Sequence, residues 1–182
     1  MTISFGRLVS AAALLGSLAG LTACGSAVMP DRDPPSGQPS FYHGLAKPGA
    51  KLDSVAAQSM ISGYRRNNGL SAVTLDSHLM RMAEEQARAM AAANKLDHNI
   101  PRDFTSRLRA SGYDAGVAVE NISAGYHTLA EAFSGWRDSP PHKRNMLKQG
   151  VTHMGIAAVY APNTKYRVFW SLVLAGPEER RR

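Results

Sequence analysis

The sequence predicts an α+β fold with a small antiparallel sheet. Three observations lead there. Segments between residues 53 and 138 carry apolar residues at helical spacing, each opening on a capping side chain. Two β-rich runs close the chain: Met154 to Tyr160 (MGIAAVY) and Tyr166 to Leu174 (YRVFWSLVL). Between them lies Ala161-Pro162-Asn163-Thr164-Lys165, the composition of a hairpin loop. Helices first and neighbouring strands afterwards make an α+β protein with an antiparallel sheet.

The elements follow in order. Asp53 is placed to cap a helix that reads VAAQSMISGYRRNN, with Ala56, Met60 and Tyr64 four apart on one face and Gly69 ending it. Leu70 to Thr74 cross to a second helix, which starts after Asp76 and runs to about Ala93. Leu79, Met82, Ala83, Gln86 and Met90 form its inner stripe; Glu84, Glu85 and Arg88 lie opposite. Asn94 ends it, and His98 follows in the loop. Asp103 to Ser111 reads as a short helix stopped by Gly112. Val117 to Ile122 reads as a short strand or a loop. Thr128 caps a helix to about Asp138 whose apolar face carries Ala132, Phe133 and Trp136.

Upstream of these elements the chain has a different character. MTISFGRLVSAAALLGSLAGLTAC carries Arg7, then a short apolar run from Leu8 to Gly20, too short to span a bilayer comfortably. It ends in Leu21-Thr22-Ala23-Cys24, and Cys24 is the single cysteine in 182 residues. Small residues before that cysteine resemble the bacterial lipobox, so residues 1–23 are expected to be a lipoprotein signal peptide and Cys24 the site of lipidation. The implied address is the cell envelope. Gly25 in place of aspartate favours the outer membrane by resemblance to Gram-negative sorting rules, facing the periplasm or the exterior. Residues 24–52, rich in Pro, Gly and Ser, read as a tether on which Phe41 and Tyr42 dock back. The domain is expected over residues 53–176, with a basic tail at 177–182.

Composition excludes some classes. With Cys24 modified, no thiol remains for a disulfide, a thiolate metal site or a cysteine nucleophile. The formal charge is +7, yet no basic stripe is interleaved with aromatics, so nucleic acid is not the expected partner. HExxH, a Gly-rich phosphate loop and a G-x-S-x-G elbow are all missing from the sequence.

The stretch GWRDSPPHKRNML, residues 135–147, carries the first candidate chemistry. Two prolines stop one helix and fit the first turn of the next, where N–H groups have no intrahelical partner. Ser139 is then the N-cap, its hydroxyl accepting the backbone N–H of His142. The positive end of a helix disfavours imidazolium, so His142 is expected to be neutral, with a ring nitrogen free to accept a proton or bind a metal. His98 lies just past the long helix. Glu120 is flanked by Val117, Val119 and Ile122, which implies burial and therefore a partner.

These residues, in this order, resemble the bacterial branch of the CAP superfamily, also called SCP-like. They are His98, FTSRLRASGY at 104–113, Glu120-Asn121-Ile122, Trp136 to Leu147, Met154-Gly155-Ile156 and Phe169-Trp170. Tyr64-Arg65, Asn68-Gly69-Leu70 and Leu75 resemble the opening of that domain. The resemblance covers roughly residues 53 to 175 and implies an α-β-α sandwich with a central cleft. It implies that His98, Glu120 and His142 face that cleft. For a fourth cleft group, Ser139 stands where many eukaryotic members carry glutamate, and Asp138 and Glu131 are the acidic alternatives. Pro141 replaces a common glycine. Asn121 is read as fixing the Glu120 loop, Trp136 as core, and His43, His78, His127 and His153 as surface or structural.

Three functions follow as expectations. One is a binding module in which His98 and His142 hold zinc or another divalent metal, with Glu120 and water completing the shell, or in which the cleft takes a small or lipidic ligand. Another is a structural or interaction protein bound to lipid or cell-wall polymer. The third is a metal-dependent, peptidase-like hydrolase with Glu120 as general base.

Overall fold

The computed structural model describes residues 37–178. The signal peptide, Cys24 and the first part of the tether lie outside the described residues, as does most of the basic tail. The elements are a short 3-10 turn at Ser40–Tyr42, then α1 (Ser54–Asn67), β1 (Thr74–Leu75), α2 (Ser77–Ala93) and α3 (Phe104–Ser111). They continue with β2 (Ala115–Ala124), α4 (Leu129–Asp138), α5 (Pro140–Met146), β3 (His153–Tyr160) and β4 (Val168–Pro177).

The caps follow the sequence closely. Asp53 accepts from Ala56 N, Asp76 from His78 N and Leu79 N, and Asp103 from Ser106 N. Thr128 and Glu131 form a reciprocal capping box at the start of α4. Asn94 and Gly112 end α2 and α3 in the left-handed region, at φ 47° and 78°. On α1 the fully buried stripe is Ala57, Ile61 and Arg65, one residue on from the expected face. Ala56, Met60 and Tyr64 are only partly buried at its margin.

The sheet has four strands in the order β1-β3-β4-β2. It is mixed and not wholly antiparallel. β4 pairs antiparallel with both β3 and β2, whereas β1 runs parallel to β3 through Thr74↔His153 and Leu75↔Met154. Two residues are too short for a periodicity to reveal, and that is why β1 escaped the sequence reading. The third run, open between strand and loop in the sequence, is the ten-residue edge strand β2.

Side-chain alternation splits the core into two layers. Met154, Ile156, Trp170, Leu172 and Leu174 face α1, α4 and α5, where Trp136 packs edge-on against Trp170 at 6.3 Å. Val173, Ala175, Ala157 and Ala118 face α2 and α3. At Gly155 any Cβ would collide with the Leu79 backbone, so α2 lies directly on β3 there. The result is helix, sheet, helix, with the buried strand β4 at the centre.

Residues 40–52, expected to be part of the tether, pack on the domain expected from residue 53. Leu45 is buried and its N–H donates to His127 O at 2.7 Å; Ser40 Oγ donates to Asp53 Oδ2 at 2.7 Å. Phe41 packs against the core, but Tyr42 stays exposed. Proline-rich composition suggested a tether, while the apolar Phe41 and Leu45 supply the burial that fixes residues 40–52 to the domain.

Candidate functional site

Glu120 sits in β2 with its side chain on the α2/α3 face, and only 2% of that side chain meets solvent. A carboxylate this deep needs compensation. It comes from α3, where Arg107 lies on the same stripe as Phe104 and Leu108 and is equally buried. Arg107 Nη1 donates to Oε1 and Nη2 to Oε2, each at 2.9 Å, a two-pronged match of guanidinium to carboxylate. The same Nη2 donates to His98 O at 2.9 Å, and Nε to Arg102 O at 3.2 Å, so one side chain also closes the α2–α3 loop. Ser171 on β4 adds a long contact to Oε1 at 3.4 Å.

His98 completes this half of the site. Its Nδ1 lies 2.8 Å from Glu120 Oε2, while about half of the side chain remains exposed. Burial pushes the Glu120 carboxyl up, but hydrogen bonds from His98 and Arg107 outweigh it and hold the group below its ordinary range. An ionised carboxylate only accepts, so the proton lies on His98 Nδ1. In neutral His98, Nε2 then carries the lone pair.

The other half is built by α5. The prolines stand at the head of the helix, but Ser139 does not cap its backbone as expected. Its hydroxyl meets His142 Nδ1 at 2.9 Å and holds the ring instead. Asn121 Nδ2 donates to His142 O at 3.0 Å; Asn145 Nδ2 donates to Asn121 Oδ1 at 2.9 Å and to Glu120 O at 3.0 Å. These amides seat α5 against the outer side of β2. Desolvation, with a smaller contribution from the charge of nearby His98, lowers the proton affinity of His142 below its ordinary value. It is therefore neutral near pH 7.

The two histidines thus come from opposite layers of the sandwich, one on either side of β2, and the charge of His98 is felt at His142. Of the three candidates for a fourth group, Ser139 is the one in contact. Glu131 Oε2 is taken by the His127 and Thr128 N–H groups, at 2.6 and 3.0 Å, and Asp138 pairs with exposed Arg137 at 2.7 and 2.9 Å. Trp136 is core, and Asn121 positions α5. His43, His78 and His153 make local bonds to Gln38 O, Ser111 O and the Tyr113 hydroxyl.

The sequence reading missed Arg107. A usable signal was present, because a charged residue falls on the apolar stripe formed by Phe104 and Leu108.

The donor set bears on a metal. A protein-built zinc site needs three or four ligands. Among the described residues no group of three His, Cys, Asp or Glu side chains could hold an ion. Both Glu120 oxygens are occupied by Arg107 and His98, so Glu120 does not complete a metal shell as expected. It orients His98, the arrangement usual one step behind a histidine ligand. What the chain offers is two imidazoles with their Nε2 atoms free of partners among the described residues.

Comparison with known proteins agrees with this architecture. The model of the cysteine-rich secretory protein family (CAP) matches residues 58–174. The uncharacterized protein YkwD of Bacillus subtilis is 29% identical over 119 residues, which are 58% of this chain. They are 46% of YkwD, so the chain spans about half the length of that relative. An SCP-domain extracellular protein from Bacillus anthracis superposes with TM-score 0.59 at 21% identity, covering 67% of this chain and 39% of that one. An outer surface protein of Borrelia burgdorferi gives TM-score 0.62 at 18% identity, covering 71% of this chain and 99% of that one.

Proposed function

The chain belongs to the cysteine-rich secretory protein family, and from that premise we propose that it is an extracytoplasmic binding module of the cell envelope. Its ligand cleft is formed by His98 and His142 beside Glu120, and it takes a small ligand that accepts from or donates to imidazole, or a divalent metal such as zinc whose remaining ligands come from outside the described residues. One observation carries the reading. A buried, ionised Glu120, locked by Arg107, holds His98 by Nδ1 and leaves its half-exposed ring facing outward. A purely structural ion pair does not need that outward histidine. The extracytoplasmic address is supported by the naming of similar proteins as extracellular and as an outer surface protein. Lipid anchoring at Cys24, and with it the outer membrane, rests on the lipobox-like run alone.

The hydrolase reading loses its base. A general base needs a free lone pair and a pKa near the working pH. Glu120 has both oxygens engaged and a proton affinity held low. The structural reading keeps one specific support: Arg107 spends its donors on the Glu120 carboxylate and on loop carbonyls, and so ties three elements together.

Calorimetric titration of zinc into the full chain, beside its His98→Ala/His142→Ala variant, separates these readings. The expected result is one site, absent in a variant whose circular dichroism is unchanged. Heat that persists in the variant places metal elsewhere. No heat in either removes the metal and leaves a metal-free ligand or the structural cluster.

A further inference from the structure

α5 has a second face. His142 and Asn145 turn toward β2, whereas Lys143, Arg144 and Leu147 turn away, into an open groove against the end of α4. The groove holds about 970 Å³ and is also lined by Arg137, Pro140 and Lys148. That volume is in the range of small-molecule sites.

Its distinction is that several cations unpaired among the described residues line one concavity. On α2 and just beyond it, Arg88 meets Glu84 and Lys95 meets Asp97. In the groove the one acid, Asp138, is taken by Arg137. Lys143, Arg144 and Lys148 meet no carboxylate among the described residues. All three are exposed, and they share one concave wall. Like charges within one Debye length of each other repel, and an anion seated among them relieves that repulsion.

The floor narrows the choice of anion. Half-buried Leu147 and the ring of Pro140 are apolar, and the lysine and arginine stems extend that surface. A bare phosphate or a sugar-phosphate polymer would leave this floor uncovered. An arginine fork beside two ammonium groups suits a phosphate ester. We propose that this groove binds an anionic phospholipid, with Lys143, Arg144 and Lys148 on the phosphate and Leu147 and Pro140 against the glycerol and first acyl carbons. The site is separate from the histidine cleft and stands without it.

The test is calorimetric titration of the full chain with dihexanoylphosphatidylglycerol below its micelle concentration. Dihexanoylphosphatidylcholine and glycerol 3-phosphate are the comparison ligands. Two variants lose the same charge: Lys143→Gln/Arg144→Gln/Lys148→Gln in the groove, and Lys47→Gln/Lys51→Gln/Arg66→Gln at exposed positions elsewhere. The phosphatidylglycerol affinity is expected to fall about a hundredfold in the groove variant and to stay within about threefold in the other. Phosphatidylcholine and glycerol phosphate are each expected to bind at least about tenfold more weakly than phosphatidylglycerol. Equal losses in both variants would reduce the effect to bulk charge and overturn the site. So would equal binding of phosphatidylcholine, or no binding of phosphatidylglycerol. Equal binding of glycerol phosphate would replace the lipid by a free phosphate. Lys143→Gln alone, a single exposed change, must give a partial loss if the larger variant fails to fold.

Discussion

Among the described residues two arginines are buried, and they are used differently. Arg65 on α1 is 1% exposed and meets no carboxylate among the described residues. Its donors go to four backbone carbonyls: Ser71, Met146, Lys148 and Val151, at 2.9, 2.9, 2.9 and 3.2 Å. That network ends on backbone carbonyls, and it pins the segment after α5 to α1. Arg107 on α3 is 3% exposed, and its donors go to a carboxylate that in turn holds a half-exposed histidine. This second network ends in solvent. A buried charge that only closes loops is structural; one whose chain of bonds reaches the surface positions a side chain for something outside.

The largest effects should come from breaking the two networks. Arg107→Met leaves the Glu120 carboxylate buried without its cation, and urea denaturation at pH 7 should show a loss of about 3–5 kcal/mol. Arg65→Met strands neutral carbonyls and should cost about 3 kcal/mol. The comparison sharpens with pH. Without Arg107, desolvation raises the Glu120 pKa above its ordinary value, so the folded state binds a proton more readily and part of the loss returns between pH 7 and 5. The Arg65→Met loss should not change over that window. Equal pH responses would mean that both arginines do the same work.

A middle-sized effect is expected in the native protein. The folded Glu120 pKa lies below its ordinary 4.5. Its stabilisation is therefore complete above about pH 4.5 and is lost as pH falls through the folded value. Urea midpoints from pH 6 to 3 should fall less steeply for Glu120→Gln than for the native chain; the difference isolates this group from the other depressed carboxyls, Asp53, Asp97, Asp103 and Asp138.

The smallest effect tests the meeting of the histidines. His98→Ala should cost under about 1 kcal/mol, since the ring is half exposed. It should raise the His142 pKa, read by proton–carbon NMR, because the charge of His98 is one cause of its depression. Burial, the larger cause, remains, so the value should stay under 6.5. No movement at all would mean that the two rings do not sense each other.

Much of this was legible in the sequence, for local reasons. Asp53, Asp76, Asp103 and Thr128 each announce a helix by a bond within three residues. The five-residue inner stripe of α2 is buried as its spacing implies. His98, Glu120 and His142 were nominated by flanking chemistry and resemblance. What stayed hidden was non-local. β1 exists through its pairing with β3, about 80 residues onward, and the packing of residues 40–52 depends on Leu45 finding His127. Ser139 looked like a cap because caps are the common use of serine before a helix, but a ring at the right height competed for its hydroxyl. Arg65 and Arg107 both sit on buried helical stripes, a misplaced charge visible in one dimension whose partners exist only in three.

Two amides, Asn121 and Asn145, fasten the seven-residue α5 to an otherwise open strand edge. So short a helix has little tendency to persist alone. If it lifts, His142 leaves its neighbour, the basic groove loses a wall, and the Glu120 carbonyl on the free edge of β2 loses its Asn145 donor. Both proposed binding places therefore hang on one latch, and a substitution that loosens it would disturb the histidine pair and the groove together.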